Sequence, residues 1–507
     1  MRPLFVTTSI AYPNGAPHIG YALELLQADA IVRALRMQGR QVYSLTGVDE
    51  HGLKIQRAAE AKQVTPQDLV DEMSGVFASL VGQLNIANDR FIRTSDADHV
   101  LMAQALWQVC AAKGDIEKRQ YQAWYNVKEE EFMGLVSEFP DPSVFGVDPK
   151  FIEKIDEVNY FFLLSRYSDR IRQLIETDMY KIVPASRKQE VLNVIDQHGL
   201  QDISISREAS KLSWGIPVPG DDTQVMYVWF DALTNYLTAS CSLDEEGAIV
   251  TGDFWPASLH CVGKDIIRFH ALIWPGMLLS AGLPLPLELL VHGHLTNEGK
   301  KMSKSLGNVA DPFAVIEKYG VDAVRWFLLK EVGTTADGDF SEDRLRQVYQ
   351  ADLANTYGNL VSRVWMMVQK YSGGLIPNRH EDYVFSAAEA WKQYDEALSA
   401  RNLHSAFTIG LGILEQANRL IDSEKPWELA KAGENAKVEG ILYQLLEMIR
   451  QATLMLTPAI PGTAAKVQEA LFSSLPECSF DDACKVGRLE EGGMLGVEQP
   501  MLFPRLV

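Results

Sequence analysis

Cysteine is scarce in this sequence. The five residues Cys110, Cys241, Cys261, Cys478 and Cys484 are scattered, and no two form a C-x-x-C pair. Such spacing supports neither a disulfide framework nor a thiolate zinc site, and it fits a reducing compartment. Long apolar runs are missing too. Although 47% of the chain is hydrophobic, nothing approaches the roughly 20 consecutive apolar residues that span a bilayer, so no membrane association is expected. The start, Met1-Arg2-Pro3-Leu4-Phe5-Val6-Thr7-Thr8, enters a strand-like run directly, and a cytoplasmic location is expected. Positive charge is in deficit, with 47 Lys and Arg against 67 Asp and Glu and a net charge of −20. Affinity for a phosphate backbone comes mainly from basic side chains, so this balance excludes a general nucleic-acid binder and confines any such contact to local patches and stacking residues. Internal repeats and low-complexity tracts are absent as well. What the sequence does have is length: 507 residues, enough for about three domains at roughly 100 to 200 residues each.

The first segment reads as an α/β unit. An apolar strand over residues 4–8 runs into a Pro/Gly loop at 11–17 and then a helix-period stretch over 19–37, which Gly39 closes. A second strand at 41–45 ends in Thr46-Gly47-Val48-Asp49-Glu50-His51-Gly52, and the βαβ pattern predicts a parallel sheet. From about 116 to 212 the sequence turns mixed and turn-rich, including Phe139-Pro140-Asp141-Pro142, and reads as an inserted domain. The α/β pattern returns with a strand at 259–262 ending in Gly263-Lys264-Asp265, an apolar helix to about Leu279 and a strand at 287–291. From Ser341 to about Leu471 only helix-period runs occur, broken at Gly373-Gly374, Lys425-Pro426 and Thr457-Pro458, which predicts a helical bundle.

Two motifs carry the chemistry. Tyr12-Pro13-Asn14-Gly15-Ala16-Pro17-His18-Ile19-Gly20 lies between the first strand and the first helix, where unpaired N–H groups and the positive dipole end attract an anion. Gly15 and Gly20 let the backbone approach a phosphate, and His18 can donate to a phosphate oxygen; taken alone, such a histidine is more often an ordinary helix cap. The second motif, Lys300-Lys301-Met302-Ser303-Lys304-Ser305, is flanked by Gly299 and Gly307. A solvated basic turn would look similar, but two lysines three apart between glycines are what a mobile loop closing over a polyphosphate requires.

Together these motifs resemble the paired signatures of class I aminoacyl-tRNA synthetases, His-Ile-Gly-His and Lys-Met-Ser-Lys-Ser, in order and in the kind of separation. The second match is complete; in the first, Tyr21 replaces the final histidine. The resemblance assigns that position a contact to ATP. A tyrosine hydroxyl can donate there but cannot become cationic near neutral pH, so reduced activity is expected. Within the class, further segments from about Leu4 into the helical half are similar to the methionyl-tRNA synthetases; only the inserted domain matches poorly. The implied fold is α/β: a Rossmann-like parallel-sheet catalytic domain (1–115 and 213–290) with an inserted connective domain (116–212), a lysine-loop and stem-contact region (291–345) and an all-α helical-bundle anticodon-binding domain (346–507).

The implied reaction is ATP-dependent activation of L-methionine to methionyl-adenylate and transfer to the 3′ end of tRNA(Met), with ATP and Mg2+ as cofactors. His18, Lys301 and Lys304 are the implied catalytic residues, and Asn14, Gly15, His18, Gly20, Tyr21, Lys301, Ser303 and Lys304 the ATP contacts. Asp49 falls where the family binds the substrate ammonium, as a carboxylate at a strand end can. Tyr227-Val228-Trp229-Phe230-Asp231-Ala232-Leu233-Thr234-Asn235-Tyr236 and Gly263-Lys264-Asp265-Ile266-Ile267-Arg268-Phe269-His270 resemble the methionine pocket. There the resemblance places Ser9, Ile10, Tyr12, Trp229, Ala232, Tyr236, Ile266, Phe269 and His270, and an apolar, polarizable pocket suits a thioether. Without the resemblance, most of these aromatics would read as core.

Asn359 and Arg363, four apart on one helix face, and Trp427 at a helix start look like contacts to a CAU anticodon, although a plain core anchor is the first reading of Trp427 from the residues alone. Many relatives carry a cysteine-based zinc knuckle in the insertion. Residues 121–160 contain no cysteine, so no structural zinc is expected, while the insertion still guides the tRNA acceptor end. Pro500-Met501-Leu502-Phe503-Pro504 leaves no appended dimerisation module, and a monomer is expected. Two rival readings stand beside this one: a synthetase for a branched aliphatic amino acid, whose long editing insertion this length cannot hold, and a non-catalytic tRNA-binding relative, suggested by Tyr21 but opposed by His18, Asp49 and the lysine loop.

Overall fold

In the computed structural model, the described residues are 2–127, 131–136, 139–301, 309–380, 386–472, 478–496 and 498–504. Its centre is a six-stranded sheet. β1 (Leu4–Ala11) leads through helix α1 (Ile19–Met37) to β2 (Val42–Val48), and helices α2 (Leu53–Lys62) and α3 (Pro66–Gln83) lead on to β3 (Arg90–Arg93). The sheet order is β3, β2, β1, then the strands Leu259–Gly263, Glu288–His292 and Lys181–Val183, with every pairing parallel. Parallel sheets of this kind are covered on both faces, and these strands accordingly alternate between two cores. Val6, Cys261 and Leu290 pack with α1 and the helical half. Phe5, Val262, Leu289 and Val291 pack with helix α4 (Ala97–Ala112) and the residues that follow Tyr227.

The order reverses between β1 and Leu259–Gly263, so the crevice beyond their carboxyl ends is the topological switch point where ligands of such sheets bind. β1 and β2 run further toward it than the sequence predicts, to Ala11 instead of 8 and to Val48 instead of 45. Polar residues that read as loop are paired instead: Thr8 Oγ1 donates to Thr46 Oγ1 at 2.8 Å, and after an irregularity the ladder resumes with Ile10 opposite Gly47 and Ala11 opposite Val48.

The stretch read as an insertion contains a separate antiparallel sheet. β4 (Ile116–Asn126) lies between β5 (Glu131–Leu135) and β6 (Ile152–Phe162), and the short strand Ile203–Ser204 follows β6. Within the same stretch, Lys181–Val183 returns to form the outer strand of the main sheet. Beyond Ser341 the chain is helical, with breaks at the expected places. Asn359–Ser372 ends at Gly373, Lys425 (φ +45°) separates Leu403–Glu424 from Pro426–Lys431, and Asn435–Leu456 stops at Thr457.

The helical half is tied to the sheet domain by Arg325, which is fully buried. Its guanidinium pairs with Asp29 of α1 at 2.5 Å and donates to the carbonyls of Leu84, Pro458 and Ala459. One core cluster therefore runs from α1 into the bundle.

Candidate functional site

The loop after β1 turns into α1 through His18. Its Nδ1 accepts from the Gly20 N–H at 3.1 Å, and the first turn of α1 carries no acidic residue. The capping histidine of the sequence reading is thus present, and the cap also defines the ring: a neutral imidazole that accepts at Nδ1 carries its proton on Nε2, a donor at the positive end of the helix. His18 and Asn14 are exposed, while Ile19 behind them is buried. Tyr21 turns the other way. Its ring meets Phe77 edge-on at 5.2 Å, and its hydroxyl is buried with no hydrogen bond among the described residues, burial pushing its pKa up.

The lysine motif is only partly described. Residues 302–308, with Ser303 and Lys304, lie outside the described residues, and of Lys301 only the backbone is described, in the strand Lys300–Lys301 paired with Leu295–Asn297. The chain resumes at residue 309, and the Ala310 carbonyl accepts from the Ile19 N–H at 3.2 Å. Two segments about 290 positions apart in the chain, the His18 cap and the downstream flank of the lysine loop, therefore meet at one helix start.

The end of β2 forms the second wall. Asp49 is buried, its N–H donating to the Ala11 carbonyl at 2.8 Å. Glu50 is fully buried and accepts from Ser74, Ser95 and, at 2.6 Å, Arg93 Nε. His51 donates from Nδ1 to Asp231 at 2.7 Å, and the other oxygen of Asp231 meets His99 Nε2 at 2.7 Å. Burial alone would raise the Asp231 carboxyl, but the charge and hydrogen bonds of His51 and His99 bring it below the usual range. Tyr12 Oη donates to the His51 carbonyl at 2.5 Å. That contact needs Gly52, where φ is +104° and a Cβ would lie 2.2 Å from Tyr12 Oη.

The third wall follows Leu259–Gly263. Phe269 stacks on Trp229 with ring centroids 3.6 Å apart and planes 9° from parallel. His270 Nδ1 donates to the Ile266 carbonyl at 3.1 Å, so Nε2 accepts from Tyr236 Oη at 2.8 Å. Burial lowers the His270 pKa to about 4, which keeps the ring neutral near pH 7. Ala232 is buried; Ile10 and Ile266 are half-buried against the same core. A neutral aromatic cluster with one oriented hydroxyl–imidazole pair suits an apolar group carrying a weak acceptor.

The three walls converge because β1, β2 and Leu259–Gly263 are neighbours in the sheet. Ser9 connects them to a group that sequence reasoning missed. Its N–H and Oγ donate to Glu24 Oε1 at 2.8 and 2.5 Å, and Glu24 Oε2 meets His292 Nε2 at 2.8 Å. Glu24, Asp231, His51, His99 and His292 were not singled out from the sequence; for Glu24, Asp231 and His292 the available signal was a charged or imidazole residue beside an otherwise apolar run, and His51 and His99 offered none.

In the helical half, Asn359 is exposed and Arg363 half-buried one turn on, its guanidinium 3.3 Å from Asp422 near the end of Leu403–Glu424. Trp427 opens the next helix, Pro426–Lys431, half-buried against the core. Asn359 and Arg363 lie within a helical run that continues from Glu342 to Ser372, Trp427 opens a neighbouring helix, and all three are well separated in the chain from the sheet crevice. No described helix is long and apolar enough to cross a membrane.

Residues 4–150 and 140–365 match the sequence profile of tRNA synthetases class I (M). The chain is 40% identical over 517 residues to the methionine-tRNA ligase of Brucella suis, covering 99% of this chain and 98% of the relative. It is 42% identical over 519 residues to the methionine-tRNA ligase of Thermosynechococcus vestitus, covering 99% and 97%. It superposes on the solved structure of Mycobacterium tuberculosis methionyl-tRNA synthetase in complex with methionyl-adenylate with a TM-score of 0.91 and 39% identity, covering 100% of both chains.

Proposed function

The chain belongs to the class I tRNA synthetases of type M, and from that membership we infer that it activates L-methionine with ATP to methionyl-adenylate and transfers the methionyl group to tRNA, releasing pyrophosphate and AMP. The observation that carries this reading is the crevice itself. A histidine-capped helix start free of acidic residues, a buried carboxylate and a neutral aromatic cluster meet there at three adjacent strand ends.

In this reading Asp49 takes the substrate ammonium by a charge-assisted hydrogen bond. Trp229, Phe269, Ala232, Ile10 and Ile266 enclose the side chain, with Tyr236, His270 and Tyr12 supplying polar edges; Ser9 holds its strand end through Glu24. The methionine carboxylate attacks the α-phosphorus of Mg·ATP in line. A carboxylate is already an adequate nucleophile, so this step relies on alignment and charge stabilisation without a general base. His18 Nε2–H serves the phosphates, with Asn14, Gly15 and Gly20 lining the approach. Lys301, Ser303 and Lys304 close on the departing pyrophosphate. Tyr21, whose hydroxyl is buried, adds no positive charge to the nucleotide.

Asn359 and Arg363 read edges of unstacked CAU anticodon bases and Trp427 stacks on one. The domain bounds are those stated from the sequence, except that 181–183 belongs to the catalytic sheet, and the antiparallel sheet of the insertion guides the acceptor end. The enzyme works as a monomer in the cytoplasm and uses Mg2+ only as the partner of ATP, without a structural zinc.

The test is exchange of labelled pyrophosphate into ATP, run against each of the twenty amino acids. Methionine alone should support exchange. Exchange driven by a different amino acid, or none at all, overturns the assignment.

A further inference from the structure

Attack on ATP by a carboxylate needs no base, but the second half of the reaction proposed above does gain from one. A ribose hydroxyl is a weak nucleophile until a neighbouring group takes its proton. Among the described residues, five histidines are at least nine-tenths buried: His51, His99, His260, His270 and His292. Four of them have both ring nitrogens engaged: His99 with Asp231 and Thr238, His260 with Thr7 and Trp274, His270 with Ile266 and Tyr236, and His292 with Glu24 and Gly293. His51 differs, for Nδ1 is bound to Asp231 while Nε2 has no hydrogen-bond partner among the described residues.

Asp231 lies between two imidazoles. His99 Nε2 meets one of its oxygens at 2.7 Å, and His99 Nδ1 lies 3.0 Å from Thr238 Oγ1. His51 needs to donate only from Nδ1, which leaves the Nε2 lone pair as an acceptor, oriented by a buried carboxylate as in other base-and-orienter pairs.

The position fits. His51 is two residues beyond Asp49 at the end of β2, and its carbonyl is held by Tyr12. The next residue, Gly52, lines a cavity of about 440 Å³ between the sheet domain and the insertion, walled by Tyr125, Arg207, Tyr227 and Val228. The Arg207 guanidinium lies over the Tyr227 and Tyr125 rings, 4.4 and 5.3 Å from their centres, and the lining also carries Glu153, Asp156 and Glu157 beside Arg57, Lys154 and Lys211.

We propose that the His51 imidazole, held by Asp231, accepts the proton of the terminal ribose hydroxyl as that hydroxyl attacks methionyl-adenylate. The proposal rests on the synthetase reading above. In the step, the ribose oxygen forms the bond to the acyl carbon and its proton moves to Nε2. The acyl carbon–oxygen bond to phosphate breaks with its electron pair leaving on AMP, and the proton passes from Nε2 to water as products depart.

The test separates the two half-reactions in His51→Asn and His51→Gln. Asparagine places an amide near the former Nδ1 and can keep the bond to Asp231 while removing Nε2. Enzyme preloaded with methionyl-adenylate is mixed with tRNA under single-turnover conditions, and pyrophosphate exchange is measured in parallel. Transfer should slow by about 10²-fold in both variants, the usual size of a lost general base, and exchange by far less. Transfer at the parent rate overturns the proposal, as does a parallel fall of both half-reactions, which marks His51 as a structural clamp. A parent enzyme without methionine-dependent exchange instead removes the functional reading itself.

Discussion

The crevice at the sheet edge and the helical half hold their candidate residues by different means. At the crevice, buried carboxylates do the holding. Glu24, Glu50 and Asp231 are each at most 5% exposed, and each accepts hydrogen bonds from two or more other elements. In the helical half the support is apolar: Leu360, Val361 and Val364 beneath Asn359 and Arg363, and Leu414, Ala417 and Ile421 in the facing helix. The contrast follows from the tasks proposed for each. Stabilising charge as a bond to phosphorus forms requires dipoles that do not reorganise, whereas stacking on an unpaired base requires only an accessible aromatic face. A fixed polar lattice suits the first and a helix surface the second.

The two regions meet at Arg325, and removing it tests their connection most severely. Arg325→Ala leaves three buried carbonyls and part of Asp29 without their donor. Breaking a buried pair from one side costs about 3 to 5 kcal/mol, and Arg33, which stays on Asp29 at 2.8 Å, places this case near the lower figure. Urea denaturation followed separately by tryptophan fluorescence and by loss of exchange activity measures it. The expected result is a loss of about 3 kcal/mol with the two probes parting, and an unshifted midpoint would show that the apolar interface alone joins the regions. Trp427→Ala sharpens the comparison from the helical side. Loss of one stacked base costs about 1 to 3 kcal/mol, which should appear as a raised KM for tRNA in aminoacylation, compared with exchange run without tRNA. An unchanged KM assigns Trp427 to packing.

The same contrast explains what could be read in advance. Helix α1 was legible to its ends because Ile19, Leu23, Leu26 and Ala30 repeat at helical spacing between a capping histidine and a glycine. Asp49, just beyond β2, and Phe269 and His270, in the segment after Leu259–Gly263, were singled out through the motifs that carry them, as were Trp229 and Tyr236. Glu24, His99, Asp231 and His292 were not. Glu24, Asp231 and His292 each adjoin apolar residues, as in Leu23-Glu24-Leu25, and the meaning of all four depends on a partner 132 positions away for His99 and Asp231 or 268 for Glu24 and His292. Periodicity reports which face is buried; it cannot report which two buried faces share a proton. The outer strand Lys181–Val183 escaped for a related reason: three residues are too few for an alternation, and only the register with Glu288–Leu290 defines them.

The smallest expected effect concerns the pair His292 and Glu24, where the polar lattice is pH-dependent. Burial on its own lowers the imidazole pKa, but the hydrogen bond and charge of Glu24 outweigh it, and the folded value stands above the ordinary 6.5. A histidine whose folded pKa is raised binds its proton more tightly in the native state. Its contribution to stability is therefore fully present below the unfolded value and is lost as pH rises through the folded one. The stability difference between the parent and His292→Gln, from urea midpoints at several pH values, should be largest near pH 6 and shrink on the alkaline side. It should not vanish, because neutral His292 can still donate from Nε2 to Glu24 across 2.8 Å. A difference that grows with pH reverses the sign and would mean that burial, not Glu24, controls the ring; a flat one would mean that the pair behaves as a neutral hydrogen bond throughout, like Tyr236 and His270 on the opposite wall.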